Sequence, residues 1–136
     1  MKELIITANV ENLDEVIGFV NTELERSGCS PGLQSQIVLA VEEIFVNIAN
    51  YAYAPASGSV AICLAVGEEV VIRFEDTGKF FNPLERAEPD LDKPLMEREI
   101  GGLGIYLVKK TMDKIDYSRI DDKNVFTMTK KIQASG

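Results

Sequence analysis

The chain has no histidine and no tryptophan, and only two cysteines, Cys29 and Cys63, among its 136 residues. Without histidine there can be no His-based general acid or base. Two distant cysteines outside any Cys-x-x-Cys pair leave no zinc site. Cys63 lies in an apolar run and is expected to be a small core residue, not a reactive thiol. No stretch reaches the roughly 18–20 apolar residues of a membrane span. The first residues lack the apolar core of a secretory signal, so the expected compartment is the cytoplasm. A basic excess is also missing. The net charge is −8 and the pI about 4.6, whereas nucleic-acid binders carry a basic footprint that neutralises phosphates. Direct nucleic-acid binding is therefore not expected.

What remains is ordinary globular composition, 46% hydrophobic and 26% charged, in a length that suits one domain over residues 1–136. Leu4–Val10 is predicted as a strand. Asn12 with Glu15 three residues on reads as a capping box, ahead of a helical period at Leu13, Val16, Ile17, Val20 and Leu24 that Gly28 ends. A second helix is predicted from about Leu33 to Tyr53. Val60–Val66 and Val70–Phe74 read as a hairpin around Gly67-Glu68-Glu69. The stretch from Asp76 to Gly104 holds three prolines and four glycines and no sustained period, the mark of a functional lid or a disordered loop. A helix from about Gly104 to Asp113 follows. The strands Ile115–Ile120 and Val125–Ile132 then close around a turn at Asp121-Asp122-Lys123-Asn124. Helices do not alternate regularly with strands. This order predicts an α+β fold, a two-layer sandwich with helices on one face of a mixed, mostly antiparallel sheet.

Three features could carry chemistry. The second helix has a narrow polar stripe, Gln36, Glu43, Asn47 and Asn50, between apolar flanks. It is either a solvent-facing stripe or an enclosed polar surface. In the second case Glu43 and Asn47, one turn apart, could bring a carboxylate and an amide oxygen to one Mg²⁺ ion. Glu75-Asp76-Thr77-Gly78 follows a strand. Asp76 could accept from an exocyclic amine such as adenine N6, with Gly78 allowing close backbone approach, or the four residues could be a plain turn. Gly101-Gly102-Leu103-Gly104 precedes a helix, whose N-terminus favours an anion such as a polyphosphate. The bland alternative is a hinge. No Gly-Lys-Ser/Thr follows, so it is not a Walker loop.

In order and spacing these features resemble the GHKL ATP-binding superfamily of gyrase, Hsp-type chaperones, histidine kinases and MutL. Within it the chain is most similar to the anti-sigma-factor serine kinases of bacterial stress and sporulation switches. Ala40–Tyr53 resembles the N-box, Asp76-Thr77-Gly78 with Pro83 the first glycine box, and Gly102–Asp113 the second. The resemblance implies a Bergerat-type ATP-binding fold, ATP and Mg²⁺ as cofactors, and a lid over about residues 79–101. It implies Glu43 as general base toward a substrate serine and Asn47 as the Mg²⁺ ligand. It further implies Asp76 and Gly78 at adenine, and Gly102, Leu103 and Gly104 at the phosphates, with Asn50 in the same nucleotide site. The implied partners are a small STAS-type anti-sigma-factor antagonist and a sigma factor, and the implied assembly is a homodimer. Tyr51, Lys79, Phe80 and Gly101 depart from the family pattern. Against the kinase stands a second reading, a nucleotide-binding regulatory module that acts only by capturing its partner. An autophosphorylating histidine kinase is disfavoured by the missing histidine.

Overall fold

The structure, a computed structural model, describes residues 2–53, 58–82 and 102–132, without the side chains of 102–106. Five strands form one sheet: β1 (Lys2–Thr7), β2 (Ser59–Val66), β3 (Glu69–Asp76), β4 (Lys114–Ile120) and β5 (Lys123–Lys131). Their spatial order is β1-β2-β3-β5-β4, and every pairing is antiparallel. The α+β sandwich is as predicted, but the expected mixed sheet has no parallel pair among the described residues. β2–β3 and β4–β5 are hairpins, whereas β3 and β4, linked through the helix Gly102–Thr111, lie on either side of β5 and so run the same way without pairing.

Helix α1 (Leu13–Arg26) buries Val16, Val20 and Leu24, one per turn. Its end is a Schellman motif: Gly28 takes φ 74°, Cys29 N–H donates to Leu24 O at 3.2 Å and Gly28 N–H to Glu25 O at 3.1 Å. Its start corrects the sequence reading. β1 stops at Thr7, not Val10, and a single 3₁₀ turn (Val10–Asn12) intervenes. Asn9 caps that turn by accepting Glu11 N–H at 2.9 Å. Asn12 makes no side-chain cap and instead donates back to Thr7 O at 2.9 Å. The capping box does not form because the chain has already turned on Asn9.

Helix α2 (Pro31–Asn47) begins earlier than predicted. Ser30 caps it, accepting Leu33 N–H at 3.3 Å, and Pro31 fills the first turn, where its missing N–H costs nothing. Beyond Asn47 the coil widens into a π turn, Ile48–Ala52, where a regular helix was expected. Apolar spacing does not reveal a five-residue turn, because Ile48 and Ala52 remain buried.

The core lies between this helical layer and the sheet, drawing Leu24, Ile37, Ile44 and Phe45 from one side and Ile62, Phe74 and Met128 from the other. Helix α3 (Gly102–Thr111) packs beside α2, and Val108, with Met112 just beyond the helix, joins the core. Cys63 is buried but lies outside that core. It donates to Glu3 Oε2 at 3.3 Å, with Arg73 Nη2 3.9 Å from its sulfur. Burial, above all, pushes its thiol pKa up, which disfavours the thiolate form.

Candidate nucleotide-binding site

Strand β3 shows how the fold builds a site at its end. Its alternation buries Val70, Ile72, Phe74 and then Asp76. The pleat thus delivers a carboxylate, 4% exposed, to the position where the next apolar residue would point. Asp76 Oδ1 accepts Gly78 N–H at 2.9 Å and Asn124 Nδ2–H at 2.9 Å. Desolvation raises the Asp76 pKa, while the hydrogen bonds from Asn124 and Gly78 and the charge of Arg119 pull it back.

Gly78 is a necessity of packing. A Cβ there would stand 2.5 Å from Ala52 O and 2.9 Å from Ala52 C. Lys79 N–H also donates to that carbonyl, at 3.0 Å. The first glycine box is thereby fastened to the π turn at the end of the α2 coil.

On α2, Asn47 is 2% exposed and its amide nitrogen donates to Glu43 O at 2.7 Å and to Glu43 Oε1 at 3.0 Å. The carboxylate and the carboxamide predicted to share one face are therefore in direct contact. Gln36 and Asn50, the ends of the same stripe, are exposed. Glu43 also lines a groove of about 320 Å³ between α2 and α3, walled by Leu39, Val46, Leu107 and Thr111.

The glycines Gly102 and Gly104 fall in the first turn of α3, which begins two residues earlier than predicted. The positive end of that helix dipole lies at Gly102. Leu103 belongs to the same turn, and its side chain lies outside the described residues. Gly101 and nearly all of the expected lid, residues 83–101, also lie outside them.

The sequence reading missed Asn124. It was assigned to a turn, but the turn is only Asp121 and Asp122, both left-handed (φ 50° and 63°), as in a type I′ hairpin. Asn124 is therefore a strand residue, paired across the sheet with Asp76 on β3 and Arg119 on β4, and 4% exposed. A polar residue one pleat away from buried Phe126 was the available signal. Two of the departures also meet here: Tyr51 stacks on Phe81 with ring centroids 5.2 Å apart, and Phe80 meets Tyr117 edge-on at 5.7 Å.

The sequence profile of the histidine kinase-like ATPase domain matches residues 6–130. The chain belongs to that family. Among relatives of this ATPase domain is the serine/threonine-protein kinase BtrW of Bordetella bronchiseptica, 29% identical over 107 residues that cover 76% of this chain and 75% of BtrW. The serine-protein kinase RsbW of Bacillus thuringiensis is 32% identical over 100 residues, covering 70% of this chain. The match spans 62% of the length of that RsbW. The crystal structure of the RsbU and RsbW domains of Rv1364c from Mycobacterium tuberculosis superposes with a TM-score of 0.66 at 17% identity, over all of this chain and 34% of that one. The Acinetobacter baumannii histidine kinase AdeS does so at 0.52 and 15% identity, over 98% of this chain and 70% of that one. At these identities the likeness establishes the shared fold.

The residues present fit ATP with Mg²⁺. Among the described residues no three or more His, Cys, Asp or Glu side chains gather to hold a metal. Mg²⁺ at a nucleotide site needs only one or two protein oxygens beside phosphates and water, and a carboxamide in contact with a carboxylate meets that need. No described helix is long and apolar enough to cross a membrane.

Proposed function

We propose that this ATPase domain is a serine-protein kinase and anti-sigma factor, which phosphorylates a serine on a small STAS-type antagonist and sequesters a sigma factor. The observation that carries the kinase reading is the contact between Glu43 Oε1 and the Asn47 amide at 3.0 Å. A module that only binds nucleotide has no use for a carboxylate so placed. The relatives named as serine-protein kinases support the same reading.

In this reading Asp76 takes the adenine amine, Gly78 admits the base, and the first turn of α3, with Gly102, Leu103 and Gly104, faces the phosphates. Asn47 would supply the protein oxygen to Mg²⁺, which would neutralise charge on the phosphates, and Asn50 borders the same site. Asn47 orients Glu43. The acceptor serine gives its proton to Glu43 as its oxygen bonds to the γ-phosphorus, and the bond to the bridging oxygen breaks to release ADP. Positioning and electrostatics supply most of the rate, as in phosphoryl transfer generally. The groove beside Glu43 is open on the side of Leu39 and Leu107, 65% and 52% exposed, so a protein-borne hydroxyl has room to approach. The assembly in this reading is a homodimer.

The second reading, a regulator that binds nucleotide without transferring phosphate, draws on Phe80, 55% exposed where the family pattern has a glycine. Transfer of labelled γ-phosphate from ATP to the antagonist decides between them. Glu43→Gln should lower the transfer rate by about 10²–10⁴-fold, the usual worth of a general base, with ATP affinity unchanged. Tight ATP binding by the unaltered chain without label on any antagonist would establish the non-catalytic module instead.

A further inference from the structure

The geometry points to Asn124 as the positioning residue of the base pocket, which holds Asp76 as an acceptor-only edge and ties it to the root of the 79–82 segment. Choice of a 6-amino over a 6-oxo purine is then set by Asn124 together with Asp76. This inference rests on the nucleotide reading of the site above.

Asn124 is almost wholly enclosed and uses its whole amide. Its Nδ2 donates to Asp76 Oδ1 at 2.9 Å and to Lys79 O at 2.8 Å. Its Oδ1 accepts Phe81 N–H at 3.2 Å, Arg119 Nη1–H at 3.1 Å and the Tyr117 hydroxyl. Rotating the amide by half a turn would set N–H against three donors and oxygen against two acceptors. The orientation is therefore fixed by its surroundings.

The consequence falls on Asp76. An ionised carboxylate can only accept, whereas a protonated one also donates. Adenine presents an amine at position 6 and guanine an oxygen, so an ionised Asp76 receives the first and repels the second. Burial works against the ionised form, and the donated hydrogen of Asn124 opposes burial. Gly78 N–H bonds the same carboxylate and the charge of Arg119 from β4 acts on it, Tyr117 lies beyond the Asn124 amide oxygen, and Glu75 and Lys123 stand at the strand-end rim. Tyr53 is one step removed, accepting Thr77 N–H at 2.9 Å. Among the described residues, Asn124 alone bonds at once to Asp76 and, through Lys79 O and Phe81 N, to the segment that leads toward the expected lid. The Tyr51–Phe81 stack braces that segment from the π turn.

The test titrates the full chain with ATP and GTP from pH 5 to 9, by fluorescence or calorimetry. Asn124→Leu keeps the branching of the side chain and removes all five bonds. Its ATP affinity should fall about tenfold or more near neutral pH, the worth of a lost hydrogen bond to a charged group. The loss should shrink as rising pH restores the carboxylate. Asn124→Asp keeps the acceptor and removes both donors, so it should cut the ATP-to-GTP affinity ratio by at least about tenfold. Should the leucine variant fail to fold, the isosteric aspartate carries the test. Tyr117→Phe, which removes one donor onto the amide oxygen, should move the ratio in the same direction by less. Variants that keep the wild-type ratio and pH profile overturn the role of Asn124 alone. An unaltered chain that binds neither nucleotide overturns the nucleotide reading itself.

Discussion

Asp76 is a carboxylate held where the fold would favour a neutral group. Its pKa is raised from 3.8, chiefly by desolvation. Below pH 3.8 it is protonated whether the chain is folded or not. As the pH rises past 3.8 the unfolded chain ionises first, so the unfolded state gains relative to the folded one until the folded-state pKa is passed. Stability attributable to Asp76 is therefore present in acid and lost on the way to neutrality. Asp113 runs the other way. Lys131 N–H, at 2.6 Å from its Oδ2, leads in holding its pKa down, so its contribution is present above pH 3.8 and lost in acid. Asp76→Asn isolates the first effect, because Asn can still accept from Gly78 and Asn124 through its oxygen. The difference in unfolding free energy between variant and wild type, measured by denaturant titration at stepped pH, should grow in favour of the variant from about pH 4 upward. ATP affinity of the variant should fall by about tenfold or more, since an amide oxygen is a weaker acceptor than a carboxylate. A variant that bound ATP normally would remove Asp76 from the base pocket.

Elements meet at few points, and Gly78 shows how tightly. With Ala52 O 2.5 Å from where its Cβ would sit, Gly78→Ala must push the β3 end off the π turn or distort that turn. The obstacle is backbone and cannot rotate away. A cost of about 1–3 kcal/mol is expected from such overpacking, read as a lower denaturant midpoint at unchanged slope. Gly18, with open space around it, should tolerate alanine and serves as the control. Much of this level is legible in the sequence. Val16, Val20 and Leu24 announce α1 by their spacing, the alternation of Val70, Ile72 and Phe74 announces β3, and Glu43 with Asn47 is an i, i+4 pair that a helix brings within reach. What could not be read has a common cause. The Asn9 cap, the π turn and the place of Asn124 depend on where the chain departs from regular geometry. Two left-handed aspartates shorten the β4–β5 turn to two residues, and that alone moves Asn124 from the turn into the sheet. Its bond to Asp76 spans 48 residues of sequence, beyond the reach of any local pattern.

At the scale of the whole molecule, the site is assembled from parts that have no covalent reason to stay together. Glu43 and Asn47 come from α2, Gly78 from just beyond β3, Asn124 from β5 and the turn proposed to face the phosphates from α3. Only the shared core holds them in register. A ligand that touches all of them binds the folded chain and not the unfolded one, so it must stabilise the fold by mass action. MgATP at a hundred times its Kd should add about 2.7 kcal/mol. For a domain of this size that is a rise in Tm of roughly 10 °C. Chelating Mg²⁺ should remove part of the rise if Asn47 holds the ion against the phosphates. ADP should fall short of ATP if the first turn of α3 faces the terminal phosphate. GTP should give least, because an ionised Asp76 repels its 6-oxo group. A differential scan in these four conditions reads the base, phosphate and metal parts of the site at once. Equal shifts with ATP and GTP would remove the base pocket from β3, and equal shifts with and without Mg²⁺ would remove Asn47 from the metal.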